Sequence, residues 1–374
     1  MSRRLYIVCT MIVFAFVSAT SGCSSTSNPT VASHSGAAGI REIPQSLGTW
    51  TIKAPMPTAR NGLAVGVIND TPYAVGGFNS DMGYYLNVVE AYDPATNTWA
   101  TAAPMPTARC LLAAGVVNGM LYAIGGYNGG GDLNTVEAYD PTTNTWTTKA
   151  SMPTARATLA VGVINGIIYA VGGLTGSALN TVEAYNPATN TWSAKAPMPT
   201  ARSVPAAGVV SGILYAIGGT DNNGPLNTVE AYNPATNTWS AKAPMPTARI
   251  ELAAGVVNGI LYAVGGTNNN GTLNTVEAYN PATNTWSAVA PMPTARYGLA
   301  VGVVHGILYA VGGYNSNVLN TVEAYNPATD SWTAKASMPT ARYDLAASVI
   351  RGRFYAVGGL GKTGVLNTVE AFNR

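Results

Sequence analysis

The chain has 374 residues, of which 47% are hydrophobic and only 10% charged, with a formal net charge of +2. That balance supplies neither the basic field of a nucleic-acid binder nor an acidic tail. Its 41 glycines and 23 prolines call for many turns, and 20 Tyr against 5 Phe favours aromatics with one polar edge, as at the wet rims of sheets.

Arg3 and Arg4 precede an apolar run from Leu5 to Val17, too short to span a bilayer comfortably, and residues 1–22 read as a signal peptide. Ser21-Gly22-Cys23, followed by Ser24 and Ser25, resembles the lipobox of bacterial lipoproteins, although Thr20 stands where that family usually has Leu. The resemblance implies lipidation of Cys23 and an exported protein, anchored in the periplasm or on the outer surface. Ordinary secretory cleavage near Ala19 would instead leave Cys23 as a free thiol on a secreted chain. Cys9 lies in the leader, so only Cys110 remains and no internal disulfide can form. Residues 23–47 are rich in Ser, Ala and Gly and read as a flexible stalk.

From residue 48 to 374 the sequence repeats itself. Pro/Ser-Met-Pro-Thr-Ala-Arg ends at Arg60, Arg109, Arg156, Arg202, Arg249, Arg296 and Arg342, at spacings of 46 to 49 residues. A double glycine follows each, from Gly76-Gly77 to Gly358-Gly359, and all 7 Trp fall in register. The third unit predicts four strands. The first two, Leu159–Ile164 and Ile167–Val171, are joined by an Asn165-Gly166 hairpin turn. The third, Asn180–Tyr185, leads through an Asn-Pro turn to the fourth, Trp192–Lys195.

A double glycine after Tyr-Ala-Val, then a Tyr, then a Trp, at this period, resembles the kelch repeat. The resemblance spans the chain beyond the stalk and implies an all-β, seven-bladed propeller with four-stranded antiparallel blades. Trp50 is a fourth-strand residue without three strands before it, and residues 367–372 are a third strand without a fourth after it. Together they complete one blade, closing the ring and removing its edges.

The seven copies differ chiefly in two places: the pair after each Arg, and the loop after each double glycine. In an up-and-down blade both emerge on one face, while the Asn-Gly and Asn-Pro turns on the other face hardly change. Variable loops on a rigid scaffold point to binding; the bland alternative is drift in exposed loops. Glu251 and Asp344 are the only acids in the post-Arg pairs. They read as solvated rim charge or as recognition or acid–base groups. Tyr297, Tyr343, Tyr127 and Tyr314 lie in or beside the variable islands, as rim packing or as ligand contacts.

In kelch propellers that bind acidic peptides, arginines at this motif position line the pocket, and the resemblance extends that role to Arg60 through Arg342. Each unit also carries one Glu, from Glu90 to Glu370, so a structural Arg–Glu pair competes with an anion-facing ring. With only His34 and His305 in the chain, no zinc or copper site of the usual kind is expected. The kelch propeller of galactose oxidase needs histidines that this chain lacks. Gly129-Gly130-Gly131 has no helix after it to make a phosphate site. The expectation is a monomeric, non-catalytic binding module on the cell envelope, without cofactor, engaging a protein, peptide or glycan but not nucleic acid. The membrane is met only through the lipid. A sugar-mutarotase-like enzyme, using Glu251 or Asp344 beside Arg249 or Arg342, and a structural surface protein are the alternatives.

Overall fold

The structure, a computed structural model, describes residues 47–374. The signal peptide, Cys23 and all but the last residue of the stalk lie outside these residues. The described chain forms seven four-stranded antiparallel sheets, with inner strands starting at Ala64, Ala113, Ala160, Ala206, Ala253, Ala300 and Ala346. These blades are numbered 1 to 7 in that order. Inner strands of successive blades pack side by side, and that of blade 7 meets that of blade 1, so the ring is closed. The architecture is the seven-bladed propeller that the repeat implies.

Blade 3 has strands Ala160–Ile164, Ile167–Val171, Val182–Asn186 and Thr191–Ala194, within two residues of the expected bounds. Its hairpin has φ of 50° at Asn165 and 76° at Gly166, the two positive values that a type I′ turn requires. The first position of this turn varies more than the sequence reading allowed. Ser211, His305 and Arg351 replace Asn there, each with φ near +50°, so the backbone conformation is kept while the side chain changes. The loops after the double glycine also hold short ribbons that the sequence did not disclose. An example is Leu174–Thr175 against Ser177–Ala178, where a glycine at φ +70° allows the tight reversal.

The amino-terminal strand Thr49–Lys53 pairs with Val369–Asn373, Trp50 lying opposite Phe372, as the fourth strand of blade 7. Trp50 Nε1 donates to the carbonyl of Ala336 at 2.8 Å, just past the outer strand of blade 6. The other tryptophans repeat this contact, as Trp99 does to Ala54 and Trp192 to Ala150. The indole row is therefore an inter-blade fastening with a satisfied N–H, which explains why one Trp falls in every unit.

Six inner strands carry a glycine in the middle, and blade-to-blade packing is tight at Gly66, Gly162, Gly255 and Gly302. A Cβ on Gly66 would lie 2.2 Å from Leu121 Cδ1 of the next blade, and one on Gly302 would lie 2.5 Å from Phe354. Blade 7 carries Ser348 there instead. By the same register its neighbour is Pro72 of blade 1, where other blades have a larger residue, so the seam has room for the hydroxyl-bearing side chain. Pro72 has no N–H, and the ladder to the third strand of blade 1 accordingly begins at Tyr73.

Candidate functional site

The motif residues before the site form a buried girdle. In blade 4, Arg202 Nη2 lies 2.8 Å from Glu230 Oε2, Nη1 donates to the carbonyls of Gly218 and Thr228, and Thr200 Oγ1 donates to Glu230 Oε1. Arg249–Glu277 and Arg342–Glu370 pair at 2.7 and 2.9 Å, and Arg60–Glu90, Arg109–Glu137, Arg156–Glu183 and Arg296–Glu323 pair likewise. Every one of these arginines is 0% exposed. Burial pulls the guanidinium pKa down, and the facing carboxylate opposes the shift by favouring the charged form. The arginines are therefore not an anion-facing ring. Arg60, Arg109, Arg156, Arg202, Arg249, Arg296 and Arg342 are internal cross-links, because a desolvated guanidinium is tolerable only when paired and hydrogen-bonded.

The double glycine belongs to the same cross-link. A Cβ on Gly76 would sit 2.6 Å from the carbonyl of Arg109 in the next blade, while Gly77 N–H donates to that carbonyl at 2.9 Å. Thr, Arg, Gly-Gly and Glu in each unit are thus parts of one inter-strand and inter-blade device.

The two variable islands meet. Asn61 bridges Phe78, Cys110 bridges Tyr127, Ala157 bridges Leu174, Ser203 bridges Thr220, Ile250 bridges Thr267, Tyr297 bridges Tyr314, and Tyr343 bridges Leu360. In each blade the post-Arg pair and the post-glycine loop form one continuous surface, joined by backbone hydrogen bonds in every blade and by added side-chain bonds in some, as from Ser203 Oγ to the Thr220 carbonyl at 3.5 Å. The second residue of each pair forms an inner ring at the mouth of the channel. Leu111 N–H donates to Gly62 O, Thr158 to Leu111, Val204 to Thr158, Gly298 to Glu251, and Asp344 to Gly298, at 3.0–3.3 Å. All seven ring residues have φ between +49° and +59°. That conformation is free for Gly62 and Gly298 but strained for Leu111, Thr158, Val204, Glu251 and Asp344, most of all for the β-branched pair.

The mouth has two chemically different arcs. On blades 1 to 3, Cys110, Leu111 and Ala157 form a buried apolar cluster against Phe78, Tyr85 and Tyr127. The rings of Phe78 and Tyr85 are 4.9 Å apart and those of Tyr85 and Tyr127 5.7 Å, with Met82 and Tyr84 exposed beside them. On blades 5 to 7, Tyr314 stands between Tyr297 and Tyr343, at centroid distances of 5.5 and 5.3 Å. Burial first, then the carboxylates of Glu251 and Asp344 with the neighbouring phenols, push the Tyr297 phenol up to about 12. The Tyr343 phenol is raised by the same kinds of group. A Cβ on Gly298 would lie 2.7 Å from Asp344 Oδ1, so blade 6 needs glycine there for the carboxylate to lean over the ring.

The structure thus brings Glu251, Asp344, Tyr297, Tyr314 and Tyr343 to one arc and sets Tyr127 on the other. Phe78 and Tyr85 of the apolar arc were not singled out in the sequence; the signal was the first spacing, the longest of the series at 49 residues. Among the described residues no group of three or more His, Cys, Asp or Glu side chains converges to hold a metal.

A family profile, the KLHDC2/KLHL20/DRC7 Kelch-repeats domain, matches residues 45–198 and 194–359. No curated protein matches the sequence. Among solved structures, a fungal alcohol oxidase "with catalytic diversity among the AA5 family, in complex with copper" is similar over 88% of this chain and 76% of its own. The TM-score is 0.72 at 16% identity, a likeness of fold alone. Its metal does not carry over: the one described histidine, His305, sits in a hairpin turn at the far end of the propeller, so the residues present do not fit a copper centre. The chain belongs to the KLHDC2/KLHL20/DRC7 Kelch-repeats domain family.

Proposed function

We propose that the protein is a non-catalytic binding module that takes a protein, peptide or glycan at the channel mouth. Kelch propellers generally mediate protein interactions, and this chain concentrates adaptable groups at one end of its ring. The observation that carries the reading is the arc on which Tyr297, Tyr314 and Tyr343 gather beside Glu251 and Asp344. Tyrosines offer broad rigid faces with polar tips, the usual anchors of a recognition surface. Strained backbone at the inner ring supports the same assignment, since such conformations cluster at ligand clamps.

The enzymatic alternative set Glu251 or Asp344 beside Arg249 or Arg342. Both arginines are committed to Glu277 and Glu370, so that acid–base arrangement lacks its cation. The proposal includes export, with Cys23 as the lipid attachment and residues 24–47 as the tether that holds the propeller off the membrane.

Screening the full chain on peptide and glycan arrays beside Tyr297→Ala/Tyr343→Ala tests the reading. Binding by the wild type that the variant loses supports the mouth as the site. Equal binding by both proteins contradicts it, and silence on both arrays favours a purely structural role.

A further inference from the structure

We propose that the mouth arc of blades 1 to 3 is a second subsite, which takes an uncharged apolar side chain of a peptide and accepts hydrogen bonds from that peptide's backbone. It rests on the binding reading above and adds to it, because its residues are distinct from the tyrosine arc of blades 5 to 7.

Strand register assembles the subsite. Phe78 pairs with Asn61 on one side and with Tyr85 on the other. Side chains directly opposite each other across an antiparallel pair lie on one face, so Asn61, Phe78 and Tyr85 form a row across blade 1. Cys110, Tyr127 and Asp132 form the equivalent row in blade 2. The rows meet where Tyr85 and Tyr127 stand 5.7 Å apart, packed on the buried Cys110, Leu111 and Ala157. Phe78, Tyr85 and Tyr127 are each only partly buried, which leaves ring surface for a ligand. The loop of blade 2 lies close over Tyr85, where a Cβ on Gly129 would come within 2.8 Å of the ring. Gly130 and Gly131 follow, so this stretch of loop brings no side chain to cover the arc.

Two polar atoms on the same arc are buried and unsatisfied. Asn61 is 3% exposed, and its Oδ1, in the row with Phe78 and Tyr85, has no hydrogen-bond partner. Thr158 is 6% exposed and donates its N–H to the carbonyl of Leu111, while its Oγ1 has no partner. The fold does not require either group. Ile250 stands at the place of Asn61 in blade 5, and Val204 at the place of Thr158 in blade 4. A buried polar atom without a partner is costly, and a ligand that supplies the partner removes that cost. An amide oxygen can only accept, so the ligand brings a donor to Asn61. A peptide offers one N–H per residue beside each apolar side chain.

Charge selects against the other ligand classes. The mouth connections of blades 1 to 3 carry Asp81 and Asp132 and no Lys, Arg or His. Arg60, Arg109 and Arg156 beneath them are buried against their own glutamates. A ligand carboxylate would find no cation on this arc, and burying it unpaired is costly. A sugar would find ring faces, but Phe78 and the exposed Met82 give its hydroxyls no donor.

Calorimetric titration of the full chain with four probes tests the proposal: acetyl-(Gly-Leu)3-amide, acetyl-(Gly-Ser)3-amide, acetyl-(Gly-Glu)3-amide and maltohexaose. The leucine peptide is expected to bind about tenfold or more tighter than the serine peptide, and the glutamate peptide and the sugar to give no heat. Phe78→Thr/Tyr127→Thr should weaken the leucine peptide about tenfold. Blades 4 and 5 already carry Thr220 and Thr267 at that place, so the fold accepts the change. Asn61→Ile should weaken it about fivefold while the melting temperature holds or rises, since an unsatisfied amide leaves the interior.

No heat from the leucine peptide, equal binding of the leucine and serine peptides, or equal affinity in wild type and Phe78→Thr/Tyr127→Thr would overturn the proposal. A melting temperature lowered by Asn61→Ile would mark the amide as structural and overturn its role toward the ligand. Maltohexaose bound in place of the leucine peptide would replace the peptide by a glycan. An array ligand lost in Tyr297→Ala/Tyr343→Ala, with no heat from the leucine peptide, would remove this subsite and leave the binding module standing. Array binding that survives that variant, again with no heat from the leucine peptide, would remove both.

Discussion

The two ends of the propeller are made from the same seven copies, yet one end is held by the same side-chain joint from blade to blade while the other shares only a backbone joint and varies its side chains. At the outer-turn end, Asn190 Oδ1 accepts from Tyr185 OH within its blade and from Ala150 N–H of the blade before. Asn97, Asn144, Asn237, Asn284 and Asp330 make the same double contact. At the mouth the joint common to all seven blades runs through backbone N–H and C=O groups, as between Cys110 and Tyr127, and side-chain bonds such as Asn79 Nδ2 to the Ala59 carbonyl occur in some blades only. Any side chain can stand on a backbone joint, and only a short acceptor can make the turn joint. Constancy of the outer turns is therefore structural, and variability at the mouth is permitted by the architecture. What marks the mouth as functional is its chemistry, the gathering of tyrosines and acids on one arc, and not its variability.

The largest expected effect breaks the ring without touching either end. Deleting residues 48–54 removes the strand Thr49–Lys53 and the Trp50 fastening. Losing Trp50 alone costs about 3 kcal/mol, and the exposed strand edge adds to it. Calorimetry should show a broad, early transition; an unchanged melting temperature would contradict the closure.

Next comes the girdle that separates mouth from core. Arg202→Met leaves Glu230 buried without its cation and should destabilise by about 3–5 kcal/mol in urea melts. Arg202→Met/Glu230→Leu should recover most of that loss, because two apolar side chains no longer need each other's charge.

At the outer turn, Asn190→Ala strands the Ala150 N–H and the Tyr185 hydroxyl and forces alanine into φ of 54°. A loss of about 1–3 kcal/mol is expected. Tyr343→Ala at the mouth should cost less stability than Asn190→Ala, a ranking that denaturant titration of the two variants checks directly.

The smallest effect is a pH dependence at the turn of blade 6, where an acid, Asp330, makes the double contact that Asn makes in blades 1 to 5. Asp330 has its pKa lowered by the Ala290 N–H first and by the Tyr325 hydroxyl second. A carboxylate with a depressed folded pKa contributes stability above its unfolded value near 4, and that contribution is lost as pH falls through the folded one. The melting-temperature difference between wild type and Asp330→Asn should therefore shrink between about pH 5 and pH 2. At the alkaline end the sign reverses. The phenols of Tyr92, Tyr185, Tyr232 and Tyr279 are raised to about 12, chiefly by burial, so their contribution is lost as pH climbs from about 10 through 12.

Much of the fold was legible because seven copies act as an internal alignment. The period, the double glycines and the Trp register fixed blade number and strand order, and the orphan strand at Trp50 disclosed the closure. The role of the arginines was not legible, since a cation that faces a pore and a cation that faces a glutamate leave the same letter in the repeat. Burial decided between them. Nor could the sequence show that Tyr297, Tyr314 and Tyr343 touch, because Tyr314 comes from a loop and the other two from the post-Arg pairs of different blades. The apolar arc of Phe78 and Tyr85 was hidden for the same reason, being assembled across a turn and a blade boundary.

The most direct test of this division of labour pairs a binding assay with a melt on two double variants, Tyr297→Ala/Tyr343→Ala at the mouth and Asn190→Ala/Asn237→Ala at the outer turns. The account predicts that the first keeps its melting temperature and loses its array ligand, while the second melts earlier and still binds. Binding lost at the outer turns, or kept in full after both mouth tyrosines are removed, would contradict it.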